Sequence, residues 1–170
     1  RAELRSGLSE ISEIASRVRL GEMSYLQRLN ICVDVVQNNN KAFDALRASQ
    51  LLSKTNQFNT SQMQYSQFTN DEKFDIFTLI YSDNNGIEES CSVMCVHYDD
   101  KLSRLQVCSF VLSCRFFSRG LEYYFLERVW SIYQSKSLIL NFRSTKRNLS
   151  CFNFLEKIVS NADSKVLSIP

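Results

Sequence analysis

The stretch LSCRFFSRGLEYYFLERV, residues 112–129, holds the residues of this chain with the clearest potential for chemistry. An apolar run ends at Cys114, Arg115 and Arg119 follow, and Gly120 precedes a segment with helical spacing. A helix N-terminus presents unpaired backbone N–H groups and accepts phosphate, and arginine adds donors that match phosphate oxygens. We therefore expect an anion-binding turn with a nucleophile beside it, the alternative being a polar loop with two solvated arginines.

Cys114 is the candidate nucleophile. The thiolate is the reactive form of cysteine, and a neighbouring arginine and a helix N-terminus favour it. Such a cysteine can accept an acyl group as a thioester and pass it to an incoming thiol; the alternative is a small core residue at the end of a strand. His97, the only histidine, is the candidate base if its strand pairs with that of Cys114, and otherwise a surface or core residue.

The amide-rich segment KTNQFNT, residues 54–60, supplies the candidate substrate ligands Asn56, Gln57 and Asn59. Their side chains can hydrogen-bond an acyl hydroxyl or an amide of the substrate. The alternative is a helix stop followed by a loop, where such residues are common.

Composition limits the classes of function. A net charge of +2 over 170 residues argues against a nucleic-acid partner, which requires a dense basic face. No apolar run approaches the length of a membrane span, and the N-terminal sequence lacks the apolar core of a secretory signal. We expect a cytoplasmic protein, and a first residue Arg1 is consistent with a piece of a longer polypeptide.

The six cysteines lie mostly within apolar strands or helices, so we predict reduced thiols and no disulfide framework. Cys91, Cys95 and His97 share strand parity and could face one another. Three potential ligands on one strand, without a CxxC pair, make a weak metal site. We therefore predict core packing at these positions and no metal.

The order of predicted elements indicates the fold. Helical spacing runs through Leu4 to Val18, a short helix follows around SYLQRL, and NICVDVV has the composition of a strand. Asn40 is the predicted cap of a helix through Leu52. Three antiparallel strands then follow in FDIFTLIYS, ESCSVMCVHY and RLQVCSFVLSC, with an Asn85-Gly86 turn between the first two. After them come a helix in GLEYYFLERVWSIYQ, a strand in SLILNF, a helix in CFNFLEKIV and a last strand in KVLSI.

This order predicts an α/β (α+β) domain over residues 29–170, with a mixed, mostly antiparallel sheet flanked by helices, preceded by a helical extension over residues 1–28. The plan resembles the Gcn5-related N-acetyltransferase fold, in which the fourth strand runs into a helix through a loop that binds the pyrophosphate of acyl-CoA. Arg115, Ser118 and Gly120 fill the named places of that fold's fingerprint, Q/R-x-x-G-x-G/A, with serine at the first glycine.

Four stretches closely resemble the FkbH-like glyceryltransferase/phosphatase family of polyketide biosynthesis. LLSKTNQFNTSQMQYS is similar to its K-T-N-Q-F-N segment, and LSCRFFSRGLE to its L-S-C-R-x-x-G-R-G-x-E. SDNNGIEES is similar to G-D-x-G-x-x-G, and STKRNLSCFNFLEKI to T-x-K-N-x-x-x-x-x-F-Y-E-K. The resemblance runs from about Glu22 to Ile158 and places a cysteine at position 114. The chain departs from the pattern at Ser118 and lacks the Gly-Phe that commonly follows E-K.

The resemblance implies transfer of a glyceryl or related hydroxyacyl group to the phosphopantetheine thiol of an acyl carrier protein. It implies no tightly bound cofactor, with the phosphopantetheine arm or acyl-CoA as ligand, and a haloacid-dehalogenase-like phosphatase domain in the same longer protein. The D-x-D motif of that phosphatase is absent from this sequence. The alternatives are a non-catalytic module that docks the carrier protein or its arm, and a CoA-dependent N-acetyltransferase.

Overall fold

A computed structural model describes residues 30–161 as a five-stranded sheet with helices on both faces. The strands lie side by side in chain order, antiparallel from β1 to β4, and β5 runs parallel to β4. The elements are β1 (Cys32–Gln37), α1 (Ala45–Lys54), α2 (Ser66–Thr69), β2 (Phe74–Ser82), β3 (Glu88–Asp99), β4 (Arg104–Leu112), α3 (Leu121–Tyr133), β5 (Ser137–Leu140) and α4 (Leu149–Asn161). The predicted mixed sheet with flanking helices is confirmed. The predicted helical extension, the short helix around SYLQRL and the last strand KVLSI lie outside the described residues.

The sheet is covered on both faces because its central strands are buried at consecutive positions and carry apolar side chains on both faces. Residues of α1 and α2 pack on one face, with Leu51, Leu52 and Phe68 buried against β2, β3 and β4. Residues of α3 and α4 pack on the other, with Phe125 and Phe154 among them. This burial on two faces explains why β2 and β3 read as continuous apolar runs and not as alternating ones. No helix in the described part of the chain is long and apolar enough to cross a bilayer.

The start of α1 differs from the prediction. Asp44, not Asn40, is the N-cap, and its side chain accepts a hydrogen bond from the Arg47 backbone N–H at 2.8 Å. Asn40 instead accepts from the Ala42 backbone N–H at 2.9 Å, which closes a local turn before the helix. Both residues have cap chemistry, and the sequence alone does not choose between them.

Two β-bulges displace side chains from the faces that strand parity predicts. β3 has an extra residue, Cys91, between consecutive pairs with β2, and β4 has an extra residue, Cys108, opposite β3. Because a bulge shifts the alternation by one, Cys91 packs on the α3 and α4 face while Cys95 packs on the α1 face. The predicted shared face is therefore wrong for Cys91, whereas Cys95 and His97 lie on the same face, where His97 contacts Phe74. Within residues 30–161 no cluster of three histidine, cysteine or acidic side chains could hold a metal ion.

The last residues of β4 are paired by the segment that follows α1. β5 covers only Arg104–Val107 of β4. Beyond it, the Leu112 N–H donates to the Phe58 carbonyl at 3.1 Å, and the Thr60 N–H donates to the Phe110 carbonyl at 3.0 Å. The segment Phe58–Thr60 thus closes an edge that would otherwise present free backbone groups, and it fixes the loop before it beside the end of β4.

Candidate functional site

A cleft of about 600 Å³ opens where the end of α1 faces the turn after β4. We call it the cationic cleft. Its volume falls in the range of small-molecule sites. It is lined by residues of α1, of the loop after it, of the turn after β4 and of the loop before α4: Arg47, Gln50, Leu51, Lys54, Thr55, Asn56, Gln57, Ser113, Cys114, Arg115 and Arg147.

Cys114 lies on the wall of this cleft with its thiol exposed. It is the first residue of a single 3₁₀ turn, Cys114–Phe116, and not part of the N-terminal turn of α3. The turn is anchored because Phe116 is buried in the core and the Ser113 N–H donates to the Cys91 carbonyl at 2.9 Å. The thiol is therefore presented to the cleft by a rigid backbone.

The cleft is cationic. Arg47, Lys54, Arg115 and Arg147 line it, and none of the described residues lining it is an Asp, Glu or His. Glu89, which lies outside the lining, accepts from Arg47 at 3.1 Å and from Arg115 at 2.7 Å through the same oxygen. One carboxylate thus fixes two guanidinium groups beside Cys114, and the lining keeps an excess of positive charge that suits an anionic ligand.

The three predicted amide ligands separate. Asn56 and Gln57 are exposed and line the cleft with Cys114 and Arg115. Asn59 is 1% exposed, and all of its side-chain contacts are with backbone. Its amide nitrogen donates to the Thr55 carbonyl at 3.0 Å, and its amide oxygen accepts from the backbone N–H groups of Ser61 and Gln62. The Asn59 side chain therefore shapes the loop and does not line the cleft with Asn56 and Gln57.

The predicted anion site at the start of α3 also divides. Arg115 lines the cleft, but Ser118, Arg119 and Gly120 do not. The Arg119 guanidinium lies over the rings of Tyr81 and Phe116, 5.0 and 5.1 Å from their centroids. Cation–π contacts therefore hold Arg119 against these two rings, whereas Arg115, which lies 5.7 Å from the Phe116 centroid, also lines the cleft. In this structure the four cations that line the cleft replace the helix N-terminus as the candidate anion site.

Ser118 occupies the left-handed region, with φ at 62°. A side chain costs roughly 1–2 kcal/mol there, whereas glycine avoids the clash but loses more entropy on folding. Since Ser118 is exposed, we expect Ser118→Gly to stabilise the protein by about 0.5 kcal/mol and Ser118→Val to destabilise it by about 1–2 kcal/mol. Urea denaturation measures both; equal stability of the two variants would contradict the assigned backbone strain.

His97 is not placed to serve Cys114. The strands β3 and β4 do pair, but Leu112, just before the cysteine turn, lies opposite Ser92, whereas His97 lies opposite Gln106. At about 3.3 Å per residue, the five positions from Ser92 to His97 span about 16 Å. His97 Nδ1 lies 3.1 Å from the Lys73 carbonyl oxygen. In this geometry the candidate base His97 is too far from Cys114 to accept its proton directly, and it lies at the surface end of β3.

The six thiols divide into two exposed and four buried ones. Cys32 and Cys114 are exposed, and Cys91, Cys95, Cys108 and Cys151 are buried. Burial raises the pKa of Cys91 and Cys151 to about 12 and that of Cys108 to about 11, and it raises the pKa of Cys95 well above its usual value. The buried four are therefore protonated at neutral pH.

We expect iodoacetamide to modify native protein at Cys32 and Cys114 and to spare the four buried thiols, because alkylation requires an accessible thiolate. Peptide mapping after a short reaction at pH 7.5 measures this. In the Cys32→Ser variant only Cys114 should react fast, and in the Cys114→Ser variant only Cys32. Fast modification of a buried cysteine in native protein would contradict the packing.

Three lining cations were not predicted from the sequence. Arg47 lies within α1, Lys54 ends it, and Arg147 precedes α4. Lys54 opens KTNQFN and Arg147 lies in STKRNLS, so both occur in the stretches that carry the family resemblance. Their occurrence in these stretches was the only sequence feature that pointed to Lys54 and Arg147. Basic residues more than 90 positions apart in the sequence give no indication that they lie close together in the fold.

The comparisons with known proteins support the fold. No protein-family model matches the chain, and no curated protein matches it significantly. The structure is similar to the crystal structure of the ribosomal-protein-S18-alanine N-acetyltransferase from Escherichia coli, with a TM-score of 0.53 and 13% identity over 75% of this chain and 76% of that chain. At this identity the likeness concerns the fold alone, and it confirms the predicted resemblance to the Gcn5-related N-acetyltransferase fold.

Proposed function

We propose that this protein is an acyltransferase that passes a glyceryl or related short hydroxyacyl group to the phosphopantetheine thiol of an acyl carrier protein through a thioester on Cys114. The observation that carries the proposal is the exposed Cys114 thiol on the wall of a cationic cleft. The acetyltransferase-like fold and the four stretches similar to the FkbH-like family support it. That family also suggests a haloacid-dehalogenase-like phosphatase domain as the partner that precedes it in a longer protein.

The chemistry is two successive thioester exchanges. The Cys114 thiolate attacks the acyl carbonyl carbon of a donor thioester, the new C–S bond forms, and the donor thiolate leaves. The carrier thiolate then attacks the Cys114 thioester and releases the Cys114 thiolate. Each step exchanges one C–S bond for another, so no oxidant or reductant is needed, and the proton of each incoming thiol passes to solvent or to the departing thiolate.

The lining supplies the contacts that such a substrate requires. The Asn56 and Gln57 amides can hydrogen-bond either the hydroxyls of a glyceryl group or the amides of the pantetheine arm. Arg115 is held beside Cys114 by Glu89 and can stabilise the oxyanion that develops on the attacked carbonyl, since a fixed donor acts without reorganisation.

A second candidate function is a non-catalytic module that docks the carrier protein or its phosphopantetheine arm. It is favoured by the makeup of the cleft, because the described lining residues include no Asp, Glu or His that could act as a general base. Under this alternative Cys114 is a wall residue, and the chemistry belongs to a separate domain.

Turnover separates the two candidates. A phosphopantetheinylated carrier protein is incubated with a glyceryl thioester of pantetheine, with and without this protein, and the carrier mass is followed. The acyltransferase proposal predicts acyl gain by the carrier that requires this protein. Carrier binding with no acceleration over the uncatalysed exchange would contradict it and support the docking module.

A further inference from the structure

We infer that Lys54 and Arg147 form a phosphate-binding pair in the cationic cleft and hold the phosphate of the phosphopantetheine arm. The inference rests on the proposed function, because it assigns the part of the substrate that these residues contact. It places phosphate recognition in the cleft, away from the start of α3.

The four cations that line the cleft differ in whether a carboxylate neutralises their charge. Of the four lining cations, Arg47 and Arg115 share the Glu89 carboxylate. Lys54 and Arg147 form no ion pair with any residue between positions 30 and 161, and both side chains are exposed. In the carrier arm this phosphate is a diester with one negative charge, and in free phosphopantetheine it is a monoester with close to two. Two cations that no described carboxylate neutralises can pair with either form.

The two cations are preorganised, because hydrogen bonds connect the end of α1, which carries Lys54, with the loop that carries Arg147. Asn148, which is 1% exposed, follows Arg147 directly and donates from its amide nitrogen to the Asn59 carbonyl at 3.0 Å and to the Arg143 carbonyl at 2.9 Å. Asn59 in turn binds the Thr55 carbonyl, next to Lys54. The two cations therefore stand on cross-linked backbone, which reduces the entropy lost when they bind one phosphate together.

The cleft is also lined by amide and thiol side chains that suit the rest of a phosphopantetheine arm. Asn56 and Gln57 follow Lys54 closely in the chain and present exposed amides to the cleft. Amide side chains suit the two amide groups of a pantetheine chain. With Cys114 on the same cleft, the lining combines cations, amides and a thiol, and these match the phosphate, the amides and the thioester of one ligand.

The test is isothermal titration of the protein with phosphopantetheine, pantetheine and CoA. We expect phosphopantetheine to bind at least about tenfold more tightly than pantetheine, since a hydrogen-bonded charge pair contributes that much or more. The double variant Lys54→Ala/Arg147→Ala should bind both equally. Lys101→Ala, a matched removal of an exposed cation at the β3–β4 turn, should leave the preference unchanged.

The outcomes that overturn the inference are specific. Equal binding of phosphopantetheine and pantetheine by the unaltered protein, or a preference that survives in the double variant, removes the phosphate pair. Binding of CoA that exceeds that of phosphopantetheine by more than tenfold overturns the carrier arm as the source of the phosphate and assigns it to free CoA. Similar binding of the two supports the carrier arm.

Failure of the phosphate pair is distinguishable from failure of the proposed function. If the protein binds phosphopantetheine through Lys54 and Arg147 but never acylates a carrier, the phosphate pair stands and the acyltransferase proposal falls. If the carrier is acylated at the same rate and KM by the double variant, the acyltransferase proposal stands and the phosphate pair falls.

Discussion

Cys114→Ala is expected to slow acyl transfer to the carrier protein by about 10³-fold or more, because the variant lacks the atom that forms the covalent intermediate. The residue is exposed, so the change removes reactivity and little packing. The rate at which the carrier gains acyl mass measures the effect, and circular dichroism confirms that the variant is folded.

Cys32→Ser is the matched control, because Cys32 is the other exposed cysteine and lies on β1 outside the cleft. Its rate should equal that of the unaltered protein. A Cys114→Ala variant that transfers within a few-fold of the unaltered rate would contradict covalent catalysis and return Cys114 to the role of a wall residue.

Asn59→Ala is expected to destabilise the protein by about 2–4 kcal/mol, because it removes a buried side chain and leaves the half-buried Ser61 and Gln62 N–H groups and Thr55 carbonyl without their partner. For a chain of this size that corresponds to a fall in Tm of roughly 6–12 °C. Differential scanning calorimetry measures the change.

Asn56→Ala is the matched control for this prediction. The same amide is removed three positions earlier from an exposed side chain, whose one described contact is a weak 3.5 Å hydrogen bond to the Lys54 carbonyl. We expect a change in unfolding free energy within about 0.5 kcal/mol, with the cost appearing in substrate affinity instead. Equal destabilisation by the two variants would contradict the division of the amides into one structural residue and two lining residues.

The fold was predictable because its main signals are local. Apolar runs in β2, β3 and β4 and the Asn85-Gly86 turn define an antiparallel meander, and helical spacing marks α3. The start of α1 was misplaced because Asn40 and Asp44 both have cap chemistry. The short α2 was missed because four residues carry too little periodicity to detect.

Strand parity misled the prediction where the chain bulges. Because Cys91 is the extra residue of a bulge, it packs on the opposite face of the sheet from Cys95. The residue type at this position does not indicate a bulge. Sheet register is a property of two strands together, so the offset of about 16 Å between His97 and Ser92, the residue opposite Leu112, required the structure.

Part of the site followed from residue types, and part depended on packing. Cys114, Arg115, Asn56 and Gln57 meet in one cleft as chemistry and resemblance suggested, although the catalytic and binding roles given to them stay predictions. Arg119 and Arg115 both contact the Phe116 ring, but Arg119 also lies over Tyr81, whereas Arg115 pairs with Glu89 and lines the cleft. Because Tyr81 and Glu89 lie far from both arginines along the chain, the local motif does not distinguish the two.

The most direct test of the central claim is intact-protein mass spectrometry after brief mixing with a glyceryl thioester of pantetheine, followed by peptide mapping of the acylated site. We expect one glyceryl adduct per chain, located on Cys114, that disappears when phosphopantetheinylated carrier protein is added. An adduct on Cys32 alone, or no adduct while the carrier is still acylated, would contradict a thioester on Cys114.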